Sequence, residues 1–255
     1  MSLAPEVIAE QVMGYAVGAA ELIPTLTPPK QPYSVAILPQ GPHYYTGLLQ
    51  AAGYLLLDGQ KKKLLVISKQ SDDNKNILVD TTIYGPMFGQ TRETPMPILS
   101  KIRTSIGALY STKEHKTISD NVQFQLPFFR IITETKELVH IGIGERAPQI
   151  QMKKLLIWIQ KHIQEYNIVL LTNIELSPST KRSKAKSRKA ESKKHEEHAQ
   201  IAKIIQTYSL STPLLTLFQK ILKFQKSEPE IIAYVNPGDF SKNSSLTTRY
   251  VCAVG

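Results

Sequence analysis

The chain has 255 residues, 42% hydrophobic and 20% charged, with a mean hydropathy of −0.18; it folds around a core and is not a disordered, collagenous or coiled-coil chain. One cysteine excludes a disulfide framework and any zinc site built on several thiolates. The formal charge of +10 suggests an anionic partner, a suggestion that the distribution of the charge weakens.

Residues 4–23 read as an opening helix. Pro5 suits its first position, and Ile8, Val12, Tyr15, Ala19 and Leu22 recur at helical spacing. Glu6, Glu10 and Glu21 interrupt any signal-peptide core, and no apolar run approaches the ~20 residues of a membrane span. A reducing cytoplasm is the expected compartment. Pro24, Pro28, Pro29 and Pro32 then predict an extended connector.

Ser34–Pro39 is a nearly all-apolar run, the pattern of a strand covered on both faces. Residues 46–57 read as an apolar helix. Strands are expected at Leu64–Ser68, Leu78–Tyr84, Arg130–Thr133, Leu138–Gly142, Ile168–Thr172, Ile231–Val235 and Tyr250–Val254. Helices are expected at 97–109, 149–165, 195–208 and 213–225; the second carries Ile150, Leu155, Ile159 and Ile163 on one face, with Trp158 beside them. Alternating strands and helices predict one αβα sandwich domain over residues 1–255, with a mainly parallel, mixed central sheet.

Lys181, Arg182, Lys184, Lys186, Arg188, Lys189, Lys193 and Lys194 face the single acid Glu191, a surplus of seven of the chain's ten charges. The stretch has no aromatic or β-branched residue, so residues 178–194 read as a solvent-exposed basic insertion, with an arm for an anionic partner or nucleic acid as the alternative.

In open α/β sheets ligands sit beyond the carboxyl ends of the strands, so the residues after each apolar run carry the chemistry. These are PQGPHYYTG at 39–47, SKQS at 68–71, SDNVQFQLPF at 119–128 and TNIELS at 172–177, with RYVCAV closing the chain at 249–254. Their order and spacing resemble the Memo family, met in bacteria as the AmmeMemoRadiSam system protein B, whose fold is similar to LigB-type class III extradiol dioxygenases. The family motifs read P-H-A-G-Y-x-Y-S-G, G-P-S-H, E-H-S-L-E-x-Q-L-P-F and S-S-D-x-S-H. The resemblance runs from about residue 34 to the end. It is carried best by Gln125-Leu126-Pro127-Phe128 and Tyr45-Thr46-Gly47.

The chain departs from the family at its polar positions. Gln40 stands for the first histidine and His43 for a tyrosine. Ser71 stands for the second histidine, Asp120 and Gln123 for the third motif's histidine and glutamate, Ile174 and Ser177 for the fourth motif's aspartate and histidine, and Ser209 falls near the family cysteine. A metal site needs about three converging imidazole, carboxylate or thiolate donors, which Gln, Ser and Ile do not supply. The resemblance therefore implies a degenerate metal site without a cofactor, in a non-catalytic module that binds a protein or a small ligand. The alternative is a dioxygenase- or hydrolase-like enzyme with a cleft rebuilt from His43, Asp72, Asp73, Asp120 and Glu175. His140 reads as a hydrogen-bonded core residue, Cys252 as a packed one, and nothing in the sequence points to a Ser-His-Asp triad.

Overall fold

The computed structural model describes residues 5–26, 32–41, 43–61, 63–70, 75–81, 84–87, 90–92, 96–111, 122, 125–133, 137–175, 198–205, 212–235 and 248–255. The chain opens with α1 (Pro5–Leu26), β1 (Val35–Leu38), α2 (His43–Leu56), β2 (Lys63–Lys69) and β3 (Ile77–Val79). It continues with β4 (Tyr84–Met87), β5 (Gln90–Arg92), α3 (Met96–Ile106), β6 (Leu109–Tyr110), α4 (Leu126–Ile132) and β7 (Glu137–Ile143). Next come α5 (Gln149–His162), β8 (Tyr166–Leu171), β9 (Ile174–Glu175), a helical stretch at 198–205, α6 (Pro213–Gln225), β10 (Glu230–Val235) and β11 (Thr248–Val254).

The main sheet runs β10-β11-β1-β8-β2-β7-β3-β6, with β9 pairing β11 off this path. Its centre, β1, β8, β2 and β7, is parallel, whereas β11 and β3 join it antiparallel. The expected mixed α/β sandwich is thus the fold. Strand periodicity explains its two layers. Leu65, Ile67, Val139 and Ile141 face one core with α3, α5, the 198–205 stretch and α6. Leu64, Val66, Leu138 and Val169 face the other, with α1, α2 and α4. The central strands are buried on both faces and so read as continuous apolar runs. Each such Leu or Ile adds roughly 1.5–3 kcal/mol by leaving water. Among the described residues, no helix is long and apolar enough to cross a membrane.

Several expected elements differ: the helix of 149–165 ends at His162 and that of 46–57 starts at His43. α1 continues through Pro24 to Leu26, because a proline in the last turn forfeits a single backbone hydrogen bond. Leu78–Tyr84 is not one strand: β3 stops at Val79, and Tyr84–Met87 pairs with β5 in a separate two-stranded sheet. The helix expected at 97–109 ends at Ile106, because Gly107 takes φ 70° and Leu109–Tyr110 joins β3. Arg130–Thr133 is not a strand but the end of α4 and the residue after it. Its β-branched run favours a strand locally, but Leu126 and Phe128 pack into the α1–α2 core. There the Phe128 ring lies 6.3 Å from that of Tyr15 and 6.4 Å from that of Tyr54.

Candidate functional site

The carboxyl ends of β1, β8, β2 and β7 form one edge, and side-chain amides bridge two of its pairs, β1–β8 and β2–β7. β1 and β8 run in register, with Leu38 opposite Leu171, so Gln40 and Asn173 each lie two residues beyond the last pair. Gln40 N–H donates to Asn173 Oδ1 at 2.9 Å, and Asn173 Nδ2 donates to the Gln40 carbonyl at 2.9 Å. The amide extends the ladder past its end, as a backbone peptide would. Gln70 does the same beyond β2: its Nε2 donates to the Gly142 carbonyl at 2.8 Å and to the Asn76 carbonyl at 3.2 Å. From α2, Gln50 Nε2 donates to the Pro39 carbonyl at 3.2 Å and Thr46 Oγ1 to the Gly41 carbonyl at 3.2 Å, anchoring the turn after β1.

Below this edge a polar row crosses four neighbouring strands in sheet order. Ser68 Oγ of β2 lies 2.9 Å from His140 Nε2 of β7, and His140 Nδ1 lies 2.9 Å from Asp80 Oδ2 just past β3. Ser111, just past β6, donates its hydroxyl to Asp80 Oδ1 at 3.1 Å. The register explains the convergence: Val66 faces His140, Val79 faces Ile141, and Val79 faces Tyr110, so residues 80 and 111 arrive beside His140. Asp80, as a carboxylate, can only accept, so Nδ1 donates to it, and the other ring nitrogen, Nε2, meets the Ser68 hydroxyl. Ser68, His140 and Asp80 are all buried.

Two more polar groups lie in this core. Tyr54 donates its hydroxyl to Gln125 Oε1 at 3.3 Å, and burial pushes its pKa far above the ordinary phenol range, so it remains neutral. Cys252, wholly buried in β11, has its thiol pushed up to about 12 by burial, which leaves it unreactive at neutral pH. Both His140 and Cys252 thus sit as core residues, as their sequence settings indicate.

Of the positions singled out from the sequence, Gln40 lies at the edge, two residues past β1. His43 opens α2, and its side chain is outside the described residues. Ser71, Asp120, Gln123, Ser177 and Ser209 are outside them, as are Asp72, Asp73 and the whole basic segment with Lys181, Arg182, Lys184, Lys186, Arg188 and Lys189. Ile174 is buried in β9. Among the described residues, no three His, Cys, Asp or Glu side chains come together as a metal-holding group, and the described edge of amides and hydroxyls does not fit a metal. The sequence motifs contain Asn173 and Ser68 but do not reveal their partners, and Asp80 and the Ser68–His140–Asp80 row emerge only in the fold. The available signal was two polar breaks, Ser68 and His140, in otherwise apolar strands.

No family model matches the chain, and no curated protein matches it. Among solved structures, the crystal structure of the uncharacterized protein JW3007 from Escherichia coli K12 aligns over 87% of this chain and 99% of its own, at 9% identity and a TM-score of 0.48.

Proposed function

We propose that this chain is a divergent Memo-like protein whose carboxyl-edge cleft binds a protein or small-molecule ligand without a resident metal. The observation that carries this reading is the Gln40–Asn173 pair. Where the family motif has a histidine, residue 40 has both its N–H and its carbonyl held by the Asn173 amide. Gln70 braces the β2–β7 pair with another amide. The described amides of this edge, Gln40, Asn173 and Gln70, offer no imidazole, carboxylate or thiolate, which suits recognition by hydrogen bonds better than redox or Lewis-acid chemistry.

Metal analysis by mass spectrometry, on tag-free protein purified without chelator and then offered iron or zinc, tests the reading. Sub-stoichiometric metal and no increase on loading are expected. One tightly held metal per chain would overturn it, and replacement of His43, Asp120 and Glu175 in turn would then locate the ligands.

A hydrolase reading has one observation in its favour: Ser68, His140 and Asp80 have the connectivity of a nucleophilic triad. Its nucleophile would be a hydroxyl with no exposed surface, and a triad serine must reach its substrate. A fluorophosphonate probe is expected to leave Ser68 unmodified; labelling lost in Ser68→Ala would establish the hydrolase instead.

A further inference from the structure

On the layer of helices formed by α3 and α5 lies an open groove of about 260 Å³, apart from the carboxyl edge. Lys101 and Ser105 of α3 form one wall; Lys154, Ile157, Trp158 and Lys161 of α5 form the other wall and the floor. The eleven residues of α3 and the fourteen of α5 include Lys101, Arg103, Lys153, Lys154 and Lys161 and no acid at all. A helix face that is merely solvated mixes both signs. Of the two acids flanking α5, Glu145 pairs with Lys69 at 3.2 Å, away from the groove; Glu165 pairs with Lys63 at 2.8 Å and with His162, which also lines the groove, at 2.9 Å, so its carboxylate is already taken up. Among the described residues, no ion pair involves Lys101, Lys154 or Lys161.

The same surface is apolar in places. Ile150, Lys154, Ile157 and Lys161 follow one another at intervals of four, three and four, one stripe of the helix. Ile150 is 61% exposed and Ile157 42%. A polyanion alone would leave these isoleucines in water. A nucleobase would need an open aromatic face, but Trp158 is 7% exposed, with the His162 ring 4.6 Å and the Tyr166 ring 5.6 Å from it. We propose that the α3–α5 groove docks an acidic polypeptide segment of a partner protein. Its apolar residues cover Ile150 and Ile157, and its carboxylates meet Lys101, Lys154 and Lys161. This surface is independent of the carboxyl-edge reading, so a metal found there would leave it standing.

Trp158 is the chain's only tryptophan, so its emission reports on the groove directly. A short tryptophan-free peptide of Glu and Leu at helical spacing, carrying a dye for anisotropy, is the probe. Saturable binding that shifts Trp158 emission and weakens with added salt is expected. Lys154→Glu with Lys161→Glu should weaken it at least ~10-fold, and Ile157→Ser a few-fold. All three residues are exposed, and circular dichroism checks the fold; Lys154→Gln with Lys161→Gln is the milder substitute should the reversal disturb it. The proposal is overturned by absence of binding, by equal affinity in the charge-reversed chain, by equal affinity for a Glu–Ser peptide, or by tighter binding of a single-stranded oligonucleotide at Trp158.

Discussion

His140 Nδ1 and Asp80 Oδ2 lie 2.9 Å apart with 1% and 2% of their side chains exposed, and the other ring nitrogen meets Ser68 Oγ at 2.9 Å. The pair ties β7 to the end of β3, where the sheet changes from parallel to antiparallel. Removing the imidazole is expensive, because the buried Asp80 carboxylate then loses a hydrogen-bond donor while keeping its desolvation penalty. His140→Ala should lower stability to urea by about 1.5–3 kcal/mol. Ser68→Ala, which deletes one hydroxyl from the row, should cost only about 1 kcal/mol. Equal losses in the two variants would show that the imidazole–carboxylate contact adds nothing beyond a neutral hydrogen bond.

Asn173 supplies a donor and an acceptor to one residue, so its replacements separate the two roles. Asn173→Asp keeps an acceptor for Gln40 N–H but sets a carboxylate against the Gln40 carbonyl; Asn173→Ala leaves both peptide groups to water. Each should lose about 1–3 kcal/mol, read as a fall in the thermal midpoint. An aspartate as stable as the wild type would mean that the donor half of the pair is not made in solution.

The central strands could be read from the sequence because burial on both faces leaves them almost purely apolar; Val35–Leu38 and Tyr166–Leu171 are examples. The Arg130–Thr133 segment misled because its β-branched residues speak for a strand, whereas the helix is set by Phe128 packing on residues far away in the chain. His140 could be recognised as a core residue. Its partners could not, since Asp80 is 60 positions away and Ser68 is 72. Gln40 was picked out by its place after a strand, but its clamp comes from 133 positions away. The basic groove was hidden for the same reason. The conspicuous charge lies in residues 181–194, while Lys101 and Lys154 become neighbours only when α3 packs on α5.

Cys252 gives an alkaline limit with a definite sign. Burial raises its pKa from the ordinary 9.0 to about 12 in the folded chain. The stability tied to its neutral thiol is therefore complete below pH 9 and declines from pH 9 to about 12, as the unfolded thiol ionises first. Cys252→Ala should flatten the start of that decline in urea titrations at pH 8 and pH 10. Because it is the only cysteine, reaction with Ellman's reagent at pH 8 should follow global unfolding. Fast reaction in native buffer would mean that β11 opens locally.

Gly47 fixes how closely α1 approaches α2. A Cβ built there would lie 2.5–2.7 Å from three atoms of the Tyr15 ring, and that ring in turn lies against Phe128. Inside a helix, Gly→Ala ordinarily gains up to ~1 kcal/mol. Here the ring must move, and crowding of a packed site costs about 1–3 kcal/mol, so Gly47→Ala should be a net loss. Gly14, whose added Cβ would meet nothing within 4 Å, is the control: Gly14→Ala should raise the thermal midpoint. The opposite order of the two variants would mean that α1 does not sit on Gly47 in solution. The Tyr15–Phe128 contact would then not be what draws residues 126–132 into a helix.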